Sequence, residues 1–152
     1  MHVPDPSAVL RTQSAAVRPG GIVAPIESDI SRARVIPATP LASQALSWVK
    51  AAHEQAGTEI ALGPRLWQVL EQAGLTPTGM LAIQPYFGPG DPLGHAQLAG
   101  IVRTLLPVLE RTGIAAADDI DIDTLEARLR DDMEAAHAVF AFPALTCAWA
   151  VV

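Results

Sequence analysis

Val17-Arg18-Pro19-Gly20-Gly21-Ile22-Val23-Ala24-Pro25-Ile26-Glu27-Ser28-Asp29 reads in order as a helix end, a tight turn, a strand and a polar strand tip. Pro19 cannot continue a helix, and Gly20 and Gly21 supply backbone conformations that a Cβ resists. Ile22 to Ile26 is then a strand. Its apolar run, bounded by glycine before and acids after, predicts a strand covered on both faces. Pro25 lacks an N–H, so it either costs a ladder bond or turns toward an unpaired side. Glu27 and Asp29 fall at the carboxyl end, the edge at which open α/β sheets bind their ligands. That order of elements makes the fold class α/β.

Outward from this stretch the chain alternates between helical and extended patterns. Asp5 caps a helix whose first position is Pro6 and which runs to about Val17. Ser28 to Thr39 reads as irregular. Leu41, Ala45, Trp48, Val49 and Ala52 form one stripe of a helix ending near Gly57. A second helix opens at Gly63-Pro64, turns Leu66, Trp67, Leu70 and Ala73 inward, and stops at Gly74. Thr78 to Phe87 reads as one strand and Gly88 to Pro92 as a loop. Leu98, Ile101, Val102, Leu105 and Leu109 keep helical spacing from Leu93 to Thr112, with a kink expected at Pro107. Asp123 and Glu126 have the spacing of a capping box for a last helix, with Leu125, Leu129, Met133 and Ala136 inward. Ala138 to Val152 is the pattern of an interior strand bent at Pro143.

Composition narrows the classes of function. The chain has 152 residues, half of them hydrophobic, enough for a domain with a real core. A formal charge of −6 and a single lysine argue against nucleic acid and against an anionic membrane surface. No apolar run reaches the length of a spanning helix, and the N-terminus has no signal-peptide pattern, so a cytoplasmic location is expected. His2 reads as terminal disorder. Cys147, the one cysteine, reads as a small buried hydrophobe. The acids Asp118, Asp119, Asp121 and Asp123 fail as a calcium loop, because Thr124 and Arg130 stand where glycine and glutamate are needed; no metal is expected. Gly88-Pro89-Gly90 lacks the Lys and Ser/Thr of a phosphate loop, and Gly20-Gly21 precedes a strand instead of a helix.

Asp5-Pro6-Ser7-Ala8-Val9-Leu10-Arg11, then Val17 to Val23, then an acid four residues on, resembles the segment around the fifth strand of class I S-adenosylmethionine-dependent methyltransferases. The likeness continues through two helix pairs to the closing apolar strand. It spans the second half of that family's domain. The Gly-rich loop and the strand-end acid that hold S-adenosylmethionine in the family have no counterpart in these residues. The resemblance implies a partial Rossmann-like sheet of three strands, the last inserted antiparallel between the other two, with capping helices in a single partial domain, residues 1–152. It also implies an open edge along Ile22 to Ile26, where Pro25 would discourage pairing.

Methyl transfer is an in-line displacement, so the protein positions the acceptor, excludes water and in some cases supplies a base. Glu27, Asp29 and His95 are the catalytic candidates, the two acids from the strand tip and His95 from a helix start after a Gly-rich loop. Tyr86, Trp48 and Phe87 are candidates for lining an acceptor pocket, Tyr86 foremost because its hydroxyl seeks a partner. Trp67 is an alternative aromatic, and all of these also fit core packing. His53 and His137 read as helix-end cations. The function implied is methylation of a small-molecule acceptor by a chain that forms the acceptor-binding half. Alone it is expected to be inactive and not to bind the cofactor, with a complementing N-terminal half or further copies of itself as partners. The alternative is a non-catalytic small-molecule-binding or interaction module derived from such an enzyme.

Overall fold

A computed structural model describes residues 3–152; His2 lies outside them. The chain divides into two compact units. The first holds residues up to Ile30, Glu59–Gln84 and Pro143–Val152; the second holds Ser31–Thr58 and Pro85–Phe142.

In the first unit, α1 (Pro6–Ala15) begins at Asp5, whose carboxylate accepts from the Ala8 amide at 2.9 Å. Gly20 turns the chain with a φ of 76°, its N–H donating to the Val152 carbonyl at 2.7 Å. β1 (Ile22–Val23) and β2 (Ile26–Asp29) follow. After the 3-10 turn η2 (Gly63–Arg65) come α3 (Leu66–Gln72), β4 (Pro77–Ile83) and, at the chain end, β7 (Ala144–Val151). β7 lies between β1/β2 on one side and β4 on the other, antiparallel to all three.

β1 and β2 are one strand interrupted. Ile22 faces Val151 and Ile26 faces Cys147, so the register does not slip across Ala24-Pro25. The Ala148 amide donates to the Pro25 carbonyl at 3.3 Å. Paired residues in an antiparallel ladder turn both backbone groups to the same side. The missing N–H of Pro25 therefore faces β7 and costs a ladder bond, and Pro25 leaves the outer side of this strand unguarded.

Contrary to the expectation from the apolar runs, this sheet is covered on one face. Leu10, Leu66, Val69 and Leu70 pack on Val23, Ala148 and Ala150. The alternate residues point the other way. Ile22 is 61% exposed, Ile26 63% and Ile83 64%, and Leu81, Leu145 and Val151 are exposed beside them. Trp67, expected inward, lies at the surface, its indole N–H donating to Glu71.

The second unit contains a sheet that the sequence did not announce. β3 (Arg34–Ile36) comes from the stretch read as irregular, after the 3-10 turn η1 (Ile30–Arg32), which begins in the first unit. β5 (Tyr86–Phe87) is the end of the expected strand Thr78 to Phe87, cut off at Pro85. β6 (Val139–Ala141) is the start of the expected closing strand, cut off at Pro143. β6 is central and antiparallel to both. Each proline lacks the N–H a ladder requires, and at each the chain leaves one sheet for the other.

Three helices supply this unit's core: α2 (Pro40–Gln55), α4 (Pro92–Thr112) and α6 (Leu125–Ala135), with α4 packed on both others. Leu46, Trp48 and Val49 of α2, Leu98, Val102 and Leu109 of α4, and Leu125 and Leu129 of α6 are all buried. The Asp132 carboxylate accepts from the Ala42 amide at the start of α2 at 3.1 Å. α4 continues through Pro107 to a left-handed Gly113. The expected capping box does not form. α6 starts at Leu125 with Thr124 as its cap residue, and the Asp123 carboxylate pairs instead with Arg103 at 3.3 Å. The acid run before it makes one short turn, α5 (Ala117–Ile120), held by Arg128 donating to the Ile120 carbonyl.

Candidate functional site

The sequence-predicted residues fall into two groups, one in each unit. In the first unit, Glu27 and Asp29 project from the same side of β2, since side chains two apart share a face. That is the face covered by helices. Asp29 is 2% exposed and Glu27 half-buried, and they stand opposite Ala144 and Thr146 of β7.

The second unit gathers the aromatic residues and a histidine. Phe87 on β5 stands opposite Phe140 on β6, with ring centroids 6.2 Å apart. Phe142, just past β6, meets both rings nearly edge-on, at 6.0 Å from Phe87 and 5.9 Å from Phe140. Such geometry sets the positive edge of one ring against the negative face of another. Phe140 is fully buried, while Phe87 and Phe142 are half-buried. Phe142 and Phe140 were not among the expected site residues. Only their spacing at i and i+2 about Ala141 could have signalled that they share a face.

Asp91 caps α4, its carboxylate accepting from the Leu93 amide at 3.0 Å. Gly94 lets the first turn of α4 press against β5: a Cβ there would come within 2.9 Å of the Phe87 Cβ. His95 follows directly and is 8% exposed. Its Nδ1 is buried with no hydrogen-bond partner and lies 3.7 Å from the Glu126 Oε1 of α6, beyond hydrogen-bond distance. A buried polar nitrogen left unpaired costs about 1–3 kcal/mol. The fold thus holds an imidazole at some expense, next to a carboxylate and on the residue after the aromatic contact.

Tyr86 projects from the opposite side of β5 to Phe87 and is exposed. Trp48 is buried in the helical core of the same unit. Among the described residues, no group of three or more His, Cys, Asp or Glu side chains is placed to hold a metal ion. No helix among them is long and apolar enough to cross a membrane. What the cluster offers chemically is limited: two half-buried rings, Phe87 and Phe142, packed on the buried Phe140, in the unit that also holds the buried imidazole of His95.

In comparison with known proteins, the chain matches no family model and no curated protein.

Proposed function

We propose that this chain is the acceptor-binding half of a class I S-adenosylmethionine-dependent methyltransferase and takes a small-molecule acceptor. One observation carries the reading. The closing strand β7 is inserted antiparallel between the strand at Ile22–Asp29 and β4, and this strand order is the one the resemblance around Val17–Val23 implies for a partial Rossmann-like methyltransferase sheet.

The residues present do not fit the cofactor itself. The glycines that could cradle it, Gly88 and Gly90, open onto empty space, and the Asp91 carboxylate already occupies the N-terminus of α4, where an anionic group would sit. No step through the cofactor is therefore assigned to these residues. On this reading Phe87 and Phe142 hold the apolar body of the acceptor, and His95, oriented beside Glu126, holds or removes a proton at its nucleophilic atom. Glu27 and Asp29 lie in the other unit, on the helix-covered face of its sheet, and take no part in this reading.

The test has two arms. Titration of the chain with S-adenosylmethionine is expected to show no binding; a low-micromolar dissociation constant, about −8 kcal/mol, overturns the division of labour. Ligand-detected NMR with small phenols, aromatic amines and carboxylic acids is expected to show binding of at least one class, lost in His95→Ala. If no class binds, the acceptor assignment falls.

A further inference from the structure

The two ring nitrogens of His95 stand in different surroundings. Nδ1 is sealed in the interior without a hydrogen-bond partner, and the Glu126 carboxylate of α6 faces it at 3.7 Å. Nε2 is not among the buried unpaired atoms of the described residues. Of the two atoms that can carry a proton, Nδ1 has no access to a second molecule, which leaves Nε2 to exchange one.

Which nitrogen holds the hydrogen of a neutral imidazole is set by what the ring faces. A carboxylate only accepts hydrogen bonds. A bare Nδ1 would turn its lone pair toward that negative charge, whereas an Nδ1–H turns a positive edge toward it. Burial magnifies this difference, because the local dielectric is low. Glu126 is free to close the remaining gap. Its side chain is 60% exposed, and it is spared the capping box with Asp123, which pairs with Arg103 instead. The nearby cations are engaged elsewhere. Arg103 also donates to the Ile122 carbonyl, Arg128 donates to the carbonyls of Ile120 and Asp121, and Arg130 pairs with Asp131.

We propose that Glu126 is a positioning residue that keeps the proton of neutral His95 on Nδ1 and so makes Nε2 the basic atom. The use of that base rests on the acceptor reading above. It narrows the acceptor to molecules whose nucleophilic atom carries a hydrogen, such as a phenol, and excludes thioethers and tertiary amines. For a phenol the O–H bond breaks, the Nε2–H bond forms and the electron pair stays on oxygen. The imidazolium so formed has both nitrogens protonated, with the Glu126 carboxylate opposite the buried one.

Long-range proton–nitrogen NMR on the whole chain, in alkaline buffer where the ring is neutral, reads the place of the proton directly. His95→Leu identifies the signals. The unsubstituted chain is expected to show a bare Nε2 and a protonated Nδ1. Glu126→Ala should move the tautomer ratio by about fivefold or more toward the Nε2–H form. Glu126→Lys, which presents a donor where the carboxylate accepts, should move it further. Position 126 is exposed, so both variants are expected to keep the cooperative melt. A hydrogen found on Nε2 in the unsubstituted chain overturns the proposal, and so does a ratio that neither variant moves. Addition of phenol, with anisole as the control that lacks the hydrogen, keeps the two questions apart. If the proton lies on Nδ1 and phenol leaves the Nε2 signal unmoved, the acceptor reading falls and the positioning role of Glu126 stands.

Discussion

The two sheets solve the same problem with different side chains. β7 buries Ala144, Thr146, Ala148 and Ala150, small residues over which α3 and η2 lie close. β6 and its neighbours bury large aromatics, with Phe140 fully enclosed between Phe87 and Phe142. A sheet faced with alanine gains stability from the residues its helices bring to it, Leu10, Leu66 and Leu70. A sheet faced with phenylalanine supplies that apolar area itself. The first should therefore be sensitive to helix residues and to added bulk, the second to loss of its own rings.

The largest effect tests this directly. Phe140→Ala should destabilise the second unit by about 3–5 kcal/mol and Leu66→Ala the first by about 2–5 kcal/mol. Residue-resolved hydrogen exchange checks it: protection should fall first over 85–142 in one variant, and over 59–84 and 143–152 in the other. Uniform loss in both would erase the distinction.

Next in size is Gly79→Ala. The Trp149 indole lies over Gly79 so closely that a Cβ would overlap its ring. Either the ring or β4 must move, at about 1–3 kcal/mol, read as a shift in denaturation midpoint. An unchanged midpoint would show that this face yields to added bulk.

His95→Leu should behave unlike an ordinary core substitution. Replacing an unpaired buried nitrogen with an apolar side chain is expected to leave stability unchanged or raise it by about 1 kcal/mol. Acceptor binding should be lost in the same variant. Loss of several kcal/mol would make His95 a packing residue, and retained binding would move the site elsewhere.

The smallest effect is at Asp5. The Ser7 hydroxyl, then the Ala8 amide, hold its carboxyl below the ordinary value of 3.8. A depressed folded value means the cap's contribution is present above the unfolded pKa and lost as pH falls through the folded one. Asp5→Asn should flatten the acid limb of the stability profile slightly; an identical limb would show that the cap contributes nothing.

How much of this was legible from residues varies with the physical signal. The helix at Pro6, the Gly20 turn and most of the inward stripes of α2, α4 and α6 were readable, although Leu41, Ile101, Leu105 and Ala136 are only half-buried, because proline, glycine and helical period each act over a few residues. The continuous runs Thr78 to Phe87 and Ala138 to Val152 hid two breaks. Apolar content alone does not say where a ladder changes partner, and Pro85 and Pro143, which mark the places, read as bends. One-sided burial of Ile22 and Ile26 was hidden for the same reason, since alanine and isoleucine look alike in an apolar run while pointing to opposite faces. His95 was legible as a candidate, but the Phe140–Phe142 pair was not, because its partner Phe87 lies more than fifty residues away in sequence.

The placement of the three tryptophans gives the protein an optical readout of its own architecture. Trp48 is enclosed in the second unit, Trp149 lies half-buried against Gly79 in the first, and Trp67 meets solvent. Replacing two at a time with phenylalanine leaves one emitter per variant. Emission from Trp48 should begin blue and shift red only as the helical core opens. Trp67 should be quenched by added iodide in the native state and barely change on unfolding. Trp149 alone would report the departure of β4 from β7, so the two units can be watched separately in one cuvette geometry without any attached dye.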